Sequence, residues 1–297
     1  MEWNTNNKKA DRQKNLFPLA GTVVIYNPKP VVMDNIASYA AFLDHLFVMD
    51  NSEVADPEVG SLLERFPNIT YTIMGGNLGV AAALNRSANL SIENGYSWLM
   101  MMDQDSGFKK NILPDFFNCL NKYDSNRCGI ISAGYSRKTR YVEVSGQRYS
   151  ELLVTITSGS FLNLQVFKKL GPFMEKLFID HVDHEYCLRL KIHGYRIIRM
   201  NHVFIRHQLG NKKKYLFWTS SNHSPFRRYF MTRNRFFVAR LYKEQVPVFF
   251  RTEILRFIYE TVKMIVFEPE KFKKIRNTVL GYLDFRKNNF NRDLNEL

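Results

Sequence analysis

Four apolar residues, Leu99 to Met102, run straight into Asp103-Gln104-Asp105-Ser106-Gly107. Such a run, closed by a Ser-Gly turn, reads as a buried strand. The period-2 geometry of a strand projects Asp103 and Asp105 to one side and Gln104 to the other. The chain before it alternates between two patterns. Gly21–Pro28, His45–Asp50, Ile69–Met74 and Tyr96–Met102 are strand-like, whereas Val31–Phe42 and the Ala-rich Leu78–Asn94 have helical spacing. Strands alternating with helices at this interval predict an α/β class with a doubly wound, mostly parallel sheet. Ligands of such sheets gather at the carboxyl ends of the strands.

Three polar loops fall at those ends: Tyr26-Asn27-Pro28, Asp50-Asn51-Ser52, and Gly75-Gly76-Asn77-Leu78-Gly79. Their Asp and Asn side chains can pair with nucleobase edges or ribose hydroxyls, or can simply turn the chain. The glycines do not form a dinucleotide fingerprint, and no phosphate loop is present. Later strands are expected near Gly129–Ala133, Leu152–Thr157 and Arg196–Arg199, with a helix from about His181 to His193.

Two convergent carboxylates at a strand end suit a hard divalent cation such as Mg2+ or Mn2+, which can in turn hold a diphosphate. The same pair also fits a Mg2+-dependent aspartyl phosphatase, although that pair normally closes the first strand of its domain and here three strands precede it. A second acidic cluster, Asp180-His181-Val182-Asp183-His184-Glu185, lies in the expected helix. One of these acids beside a low-dielectric cleft would make a general base. His207 follows a strand-like Val203–Arg206 and could complete a metal shell if the fold brings it to the carboxylate pair.

At 297 residues the chain can bury a substantial core without staples. Its three cysteines, Cys119, Cys128 and Cys187, lack metal-ligand spacing, which argues against a disulfide framework and for a reducing compartment. Met1–Asn15 has no apolar core of a signal peptide, and no apolar stretch approaches the roughly 20 residues that span a bilayer. These features predict a cytoplasmic body, soluble or lying on a surface. Residues 206–297 carry 20 Lys and Arg against 8 Asp and Glu, so most of the net charge of +14 sits there. Phe250, Ile254, Phe257, Ile258, Thr261, Val262 and Ile265 share one helical stripe, with Arg251, Glu253, Arg256, Glu260 and Lys263 on the other side. A basic amphipathic helical region of this kind fits an anionic membrane surface. Its interleaved aromatics also permit a non-enzymatic membrane- or RNA-binding role, of which the nucleic-acid partner is the less expected.

Taken in order, the Tyr26-Asn27-Pro28, Asp50-Asn51-Ser52, Asn77-Leu78-Gly79 to Asn85, Met102–Ser106, Thr157–Ser160, Phe178–Arg189 and His207–Gly210 segments resemble the family-2 inverting glycosyltransferases of the GT-A fold. The bacterial rhamnosyltransferase branch is the most similar. The resemblance implies a GT-A catalytic domain over 18–212, between a flexible segment 1–17 and the basic helical region 213–297. It implies a nucleotide-diphospho-sugar donor, dTDP-L-rhamnose or a UDP-sugar, and transfer with inversion to a saccharide hydroxyl, the acceptor being lipid-linked and at the inner face of the cell membrane. On it, Tyr26, Asn27, Asp50, Asn51, Gly76, Asn77, Gly79, Asn85, Asp103 and Gln104 bind the donor nucleotide. Asp105, Asp103 and His207 hold Mg2+ or Mn2+. Asp183 is the general base, with Asp180 its competitor, and Thr157, Ser158, Gly159, Asp180 and Glu185 line the acceptor or sugar side.

Overall fold

A computed structural model describes residues 18–135, 147–207, 213–215, 218–220, 222–294 and 297. The first half follows the expected alternation: β1 (Leu19–Ile25), α1 (Val32–Ala40), β2 (His45–Asp50), α2 (Pro57–Leu63), β3 (Ile69–Ile73), α3 (Val80–Glu93) and β4 (Trp98–Asp103). These strands pair in parallel in the order β3-β2-β1-β4. Side chains of β4 alternate between two cores, as the strand period requires. Trp98, Met100 and Met102 pack with Ile36 and Tyr39 of α1 and Val59 of α2, while Leu99 and Met101 pack with Ala81 and Leu84 of α3. The sheet is thus covered on both faces, which explains the unbroken apolar run.

The second half comprises β5 (Ser106–Gly107), α4 (Leu113–Lys122), β6 (Cys128–Tyr135), β7 (Tyr149–Glu151), β8 (Ser160–Asn163), α5 (Leu164–Leu170), α6 (Val182–Ile192), β9 (Arg196–His207), β10 (Lys213–Tyr215) and β11 (Trp218–Ser220). It is mixed rather than parallel. Strand β8 enters antiparallel between β4 and β6, β6 runs parallel to β9, and β5 and β7 add antiparallel edges to β9.

The strand expected over Leu152–Thr157 does not form. Leu152 still donates its N–H to the Ile197 carbonyl at 2.9 Å, after which the chain leaves the edge of β9 and crosses the strand ends. It returns to the sheet at Gly159, whose φ of +73° makes the turn into β8. An apolar run here serves a half-buried crossing segment whose Leu152, Leu153 and Val154 pack against the core on one side, which periodicity cannot tell from a strand.

Three helices follow: α7 (Pro225–Leu241), α8 (Pro247–Phe267) and α9 (Lys271–Lys287). Ser224 caps α7, accepting the Arg227 N–H at 3.2 Å, with Pro225 in the first turn. Phe237, Val238 and Ala239 of α7 join the core formed with α3 and α6, so this helix packs on the sheet domain. Helices α7 and α9 meet at Gly281, where a Cβ would lie 2.4 Å from the Tyr229 carbonyl oxygen.

Gly79 shows how tightly the strand-end loops are fitted. Its φ is +84°, and an added Cβ would lie 2.7 Å from the carbonyl oxygen of Phe178. Gly79→Ala therefore combines backbone strain with a clash against main chain. It should lower stability by at least about 1 kcal/mol, read as a lower urea midpoint at unchanged m-value. An unshifted midpoint would contradict this account of the loop.

Candidate active site

Parallel pairing sets the carboxyl ends of β1, β2 and β4 side by side, with Asp50 opposite Ile25 and Asp103 opposite Val24. The buried Asp50 carboxylate accepts the Ser52 N–H at 2.9 Å and the Tyr71 hydroxyl. Burial and this hydrogen bond push the Tyr71 phenol well above its usual range. Asn51 donates to Asn77 Oδ1 at 3.3 Å and accepts the Leu78 N–H at 3.1 Å, and Asn77 Oδ1 also accepts the Gly79 N–H at 3.2 Å. Gln104 behaves as an extra sheet rung. Its Oε1 accepts the Tyr26 N–H at 2.8 Å and its Nε2 donates to the Tyr26 carbonyl at 3.2 Å. Asn27, at φ +44°, donates its N–H to Ser52 Oγ at 2.8 Å, which joins the first loop to the second.

Beyond these loops opens a cleft of about 630 Å³. Asp103, Gln104 and Asp105 form one wall, the crossing residues Ile156 and Thr157 adjoin it, and the segment Ile179–His184 stands on another side. Helices α7 and α8 close it with Arg227, Met231 and Arg235, and with Glu253, Arg256 and Glu260.

The segment before α6 has an unusual backbone. Phe178, Asp180 and His181 all have φ between +61° and +64°, each costing roughly 1–3 kcal/mol unless its surroundings impose it. Here α7 imposes it. Asn234 Nδ2 lies 2.7, 2.7 and 3.0 Å from the carbonyls of Leu177, Ile179 and Asp180, and Arg233 Nη2 donates to the Lys176 carbonyl at 3.0 Å. Both side chains are fully or almost fully buried. On the other side, the Val80 N–H donates to the Phe178 carbonyl at 2.8 Å, tying the segment to α3.

The acids of this segment differ in their commitments. Asp180 accepts three hydrogen bonds from Arg227, at 2.9, 3.0 and 3.3 Å. Burial disfavours the Arg227 cation, yet Asp180, with Asp103 and Asp183 beyond it, holds its pKa above the ordinary value. Asp183 lies in the first turn of α6 and uses Oδ1 to accept the His184 N–H at 2.8 Å. Its Oδ2 makes no hydrogen bond among the described residues.

Other predicted residues serve the frame. Glu185 is fully buried and accepts from Arg189 at 2.7 and 3.1 Å and from the Tyr242 hydroxyl at 2.8 Å, so it faces away from the cleft. Asn85 braces α3 to the Phe173 backbone through bonds of 2.8 and 3.0 Å and does not line the cleft. Ser158 Oγ accepts the Asp103 N–H at 3.2 Å from behind the wall, and a Cβ on Gly159 would strike Ile205. Backbone pairing of β5 with β9 sets position 207 beside Ser106, one residue past Asp105. The His207 side chain and the following Gln208–Gly210 lie outside the described residues.

Two groups could be considered for a metal. Asp103 and Asp105 offer hard oxygen donors at the strand end, which fit Mg2+ or Mn2+. His181, His184 and Glu253 also have ligand atoms within 4.8 Å of one another. Glu253, however, is already engaged by Arg256 at 2.7 Å, Arg235 at 3.0 Å and His181 at 3.2 Å. Burial would raise its pKa, but His181 first and then the two guanidiniums bring it down to about 2. Two cations on the one carboxylate oppose a divalent ion there, and the cluster fits better as the bolt between α6, α7 and α8.

Sequence reasoning missed Arg227, Arg235, Glu253, Arg256 and Glu260 as cleft residues. Glu253 and Glu260 did carry a signal, as two acids seven residues apart on one face of a helix in a basic region.

The sheet order and the strand-end cleft are those of the GT-A glycosyltransferases, and the chain is a glycosyltransferase. It is similar to the dTDP-rhamnosyl transferase RfbF of Shigella flexneri, 29% identical over 288 residues that cover 88% of this chain and 93% of that one. Among solved structures, S. aureus TarS 1-349 superposes with a TM-score of 0.61 at 13% identity, covering 91% of this chain and 81% of TarS. The mannosyltransferase PcManGT from Pyrobaculum calidifontis, in complex with GDP-Man and Mn2+, gives 0.59 at 13% identity, covering 92% and 88%. No family model matches the chain.

The Glu253 cluster makes a pH prediction. Its carboxyl titrates at about 2 in the folded chain against an ordinary 4.5. Its stabilisation is therefore complete above the higher value and lost as pH falls toward the lower. The melting-temperature gap between wild type and Glu253→Gln should be widest above about pH 5 and narrow toward about pH 3. A gap independent of pH over that range would show that the ion pairs do not stabilise the fold.

Proposed function

We propose that the enzyme transfers L-rhamnose from dTDP-L-rhamnose, with inversion, to a hydroxyl of a lipid-linked saccharide in cell-surface polysaccharide synthesis. The observation that carries this reading is the convergence on one cleft of the Asp103/Asp105 pair and Asp183. The similarity to RfbF along most of both chains supports the donor.

The acceptor hydroxyl approaches the anomeric carbon on the face opposite the diphosphate. As the new C–O bond forms and the bond to the diphosphate breaks with its electron pair, the hydroxyl proton passes to Asp183 Oδ2. Asp180 is the weaker candidate for base, because the Arg227 guanidinium donates to both of its carboxylate oxygens. On this reading the strand-end loops of Tyr26, Asp50, Asn51 and Asn77, next to Gln104 of the cleft, bind the nucleoside, with Gly76 leaving room for close backbone approach.

Asp103 and Asp105, with His207, would hold Mg2+ or Mn2+, which when bound neutralises charge on the departing diphosphate. The cleft itself supports this. Six carboxylates and three guanidiniums line it, so an anionic diphosphate meets a net negative wall. The binding of GDP-Man and Mn2+ together by PcManGT is consistent with the same solution. Residues 18–212 form the catalytic domain in this reading, completed by α7 and α8, and the basic region 213–297 keeps the enzyme at the inner face of the cell membrane.

Asp183→Asn should retain the metal-dependent thermal shift with dTDP-L-rhamnose and lose transfer by roughly 10²–10⁴-fold. The same phenotype in Asp180→Asn instead would move the base to Asp180. Asp105→Ala should abolish the metal dependence of donor binding, and a donor shift that still required Mn2+ in that variant would refute the metal assignment.

A further inference from the structure

The helical stripe that the sequence suggests for α8 is split in the folded chain, with Phe257 turned inward and Ile258, Val262 and Ile265 exposed. Glu253, Phe257, Glu260 and Met264 face inward, toward the cleft and α7. Leu255, Ile258, Val262 and Val266 lie roughly 180° away at 100° per residue, and they are 54–68% exposed. Helix α9 repeats the arrangement. Lys274, Asn277, Gly281 and Asp284 are buried, while Phe272 and Val279 are 89% and 50% exposed on the opposite side. Of the 21 exposed large apolar side chains among the described residues, 12 lie on these two helices. A soluble surface rarely concentrates apolar area in this way without a partner.

The charges are sorted as well. Between Pro247 and Lys287, four of the five acids, Glu253, Glu260, Glu268 and Asp284, turn inward into ion pairs with Arg235, Arg228, Lys274 and Arg292. Arg251, Lys271, Lys273, Arg276, Arg286 and Lys287 remain exposed around the apolar stripes. No helix among the described residues is long and apolar enough to cross a membrane.

We infer that the outer faces of α8 and α9 form a docking surface for an anionic bilayer leaflet, the apolar stripes entering the interface and the basic rim meeting lipid headgroups. Charge complementarity selects this occupant over a second copy of the chain. A two-fold pairing through the same face would bring two basic rims together, whereas an anionic leaflet neutralises one. Because α8 presents Arg256 and Glu260 to the cleft and its apolar side to the leaflet, docking sets the cleft beside the membrane surface. This deepens the inner-leaflet placement proposed above by naming the surface responsible, and it rests on that placement only for its biological setting.

The test is flotation of the full chain with phosphatidylglycerol-containing vesicles and with phosphatidylcholine vesicles, beside Leu255→Glu/Val262→Glu and Val279→Glu variants. Wild type should float with the anionic vesicles, more weakly with the neutral ones, and the double variant should lose roughly tenfold of that binding. Its melting temperature and its Mn2+-dependent shift with dTDP-L-rhamnose should be unchanged. Wild type that stays with neither vesicle, or variants that float as well as wild type, would overturn the inference. So would a dimer by light scattering that these substitutions dissolve while vesicles bind nothing. Vesicle binding without any donor shift would refute the donor reading and leave the surface standing.

Discussion

The segment that carries Ile179 and Asp180 to the cleft depends on one buried amide. Asn234 shares its two Nδ2 hydrogens among the carbonyls of Leu177, Ile179 and Asp180. Those contacts hold a run of left-handed residues that no local preference would maintain. The run starts α6 at the right height, turns Asp180 toward Arg227, and leaves Asp183 open to the cleft. Helix α7, distant in sequence, thus determines the conformation of the segment that leads into Asp183.

The cleft also illustrates how charge is managed at low solvent exposure. Arg227, Arg235 and Arg256 are not free to bind an incoming anion, because each is engaged by Asp180, Glu253 or Glu260. Of these, the Arg235–Glu253 pair is buried, costly to break, and specifies one arrangement of α7 against α8. Two of the acids in that internal pairing, Glu253 and Glu260, are also among those whose withdrawal leaves the outer surface of α8 and α9 basic. Inner architecture and outer charge therefore arise from a single sorting of side chains.

Much of the first half was legible in the sequence. Strands β1 to β4 and helices α1 and α3 lie within a few residues of the segments read from periodicity, since each buries a regular stripe. The placement of Asp103, Gln104, Asp105, Thr157, Asp180 and Asp183 around one cleft agrees with their expected neighbourhood. Glu185 and Asn85 lie off the cleft, and a buried polar residue braced to the frame has the same sequence appearance as one that lines it. The crossing segment Leu152–Thr157 was misleading because a short apolar run packed against the core imitates a strand.

Local pattern by itself determined the alternating α/β half, the strand-end position of the carboxylate pair, and the basic character of the C-terminal third, because these follow from side-chain period and charge along the chain. Tertiary structure alone decided which face of α8 is inside. Apolar residues lie on both sides of this helix, and ion pairing of Glu253 and Glu260 with Arg235 holds their side, with Phe257 and Met264, inward, so that Leu255, Ile258, Val262 and Val266 are left outside.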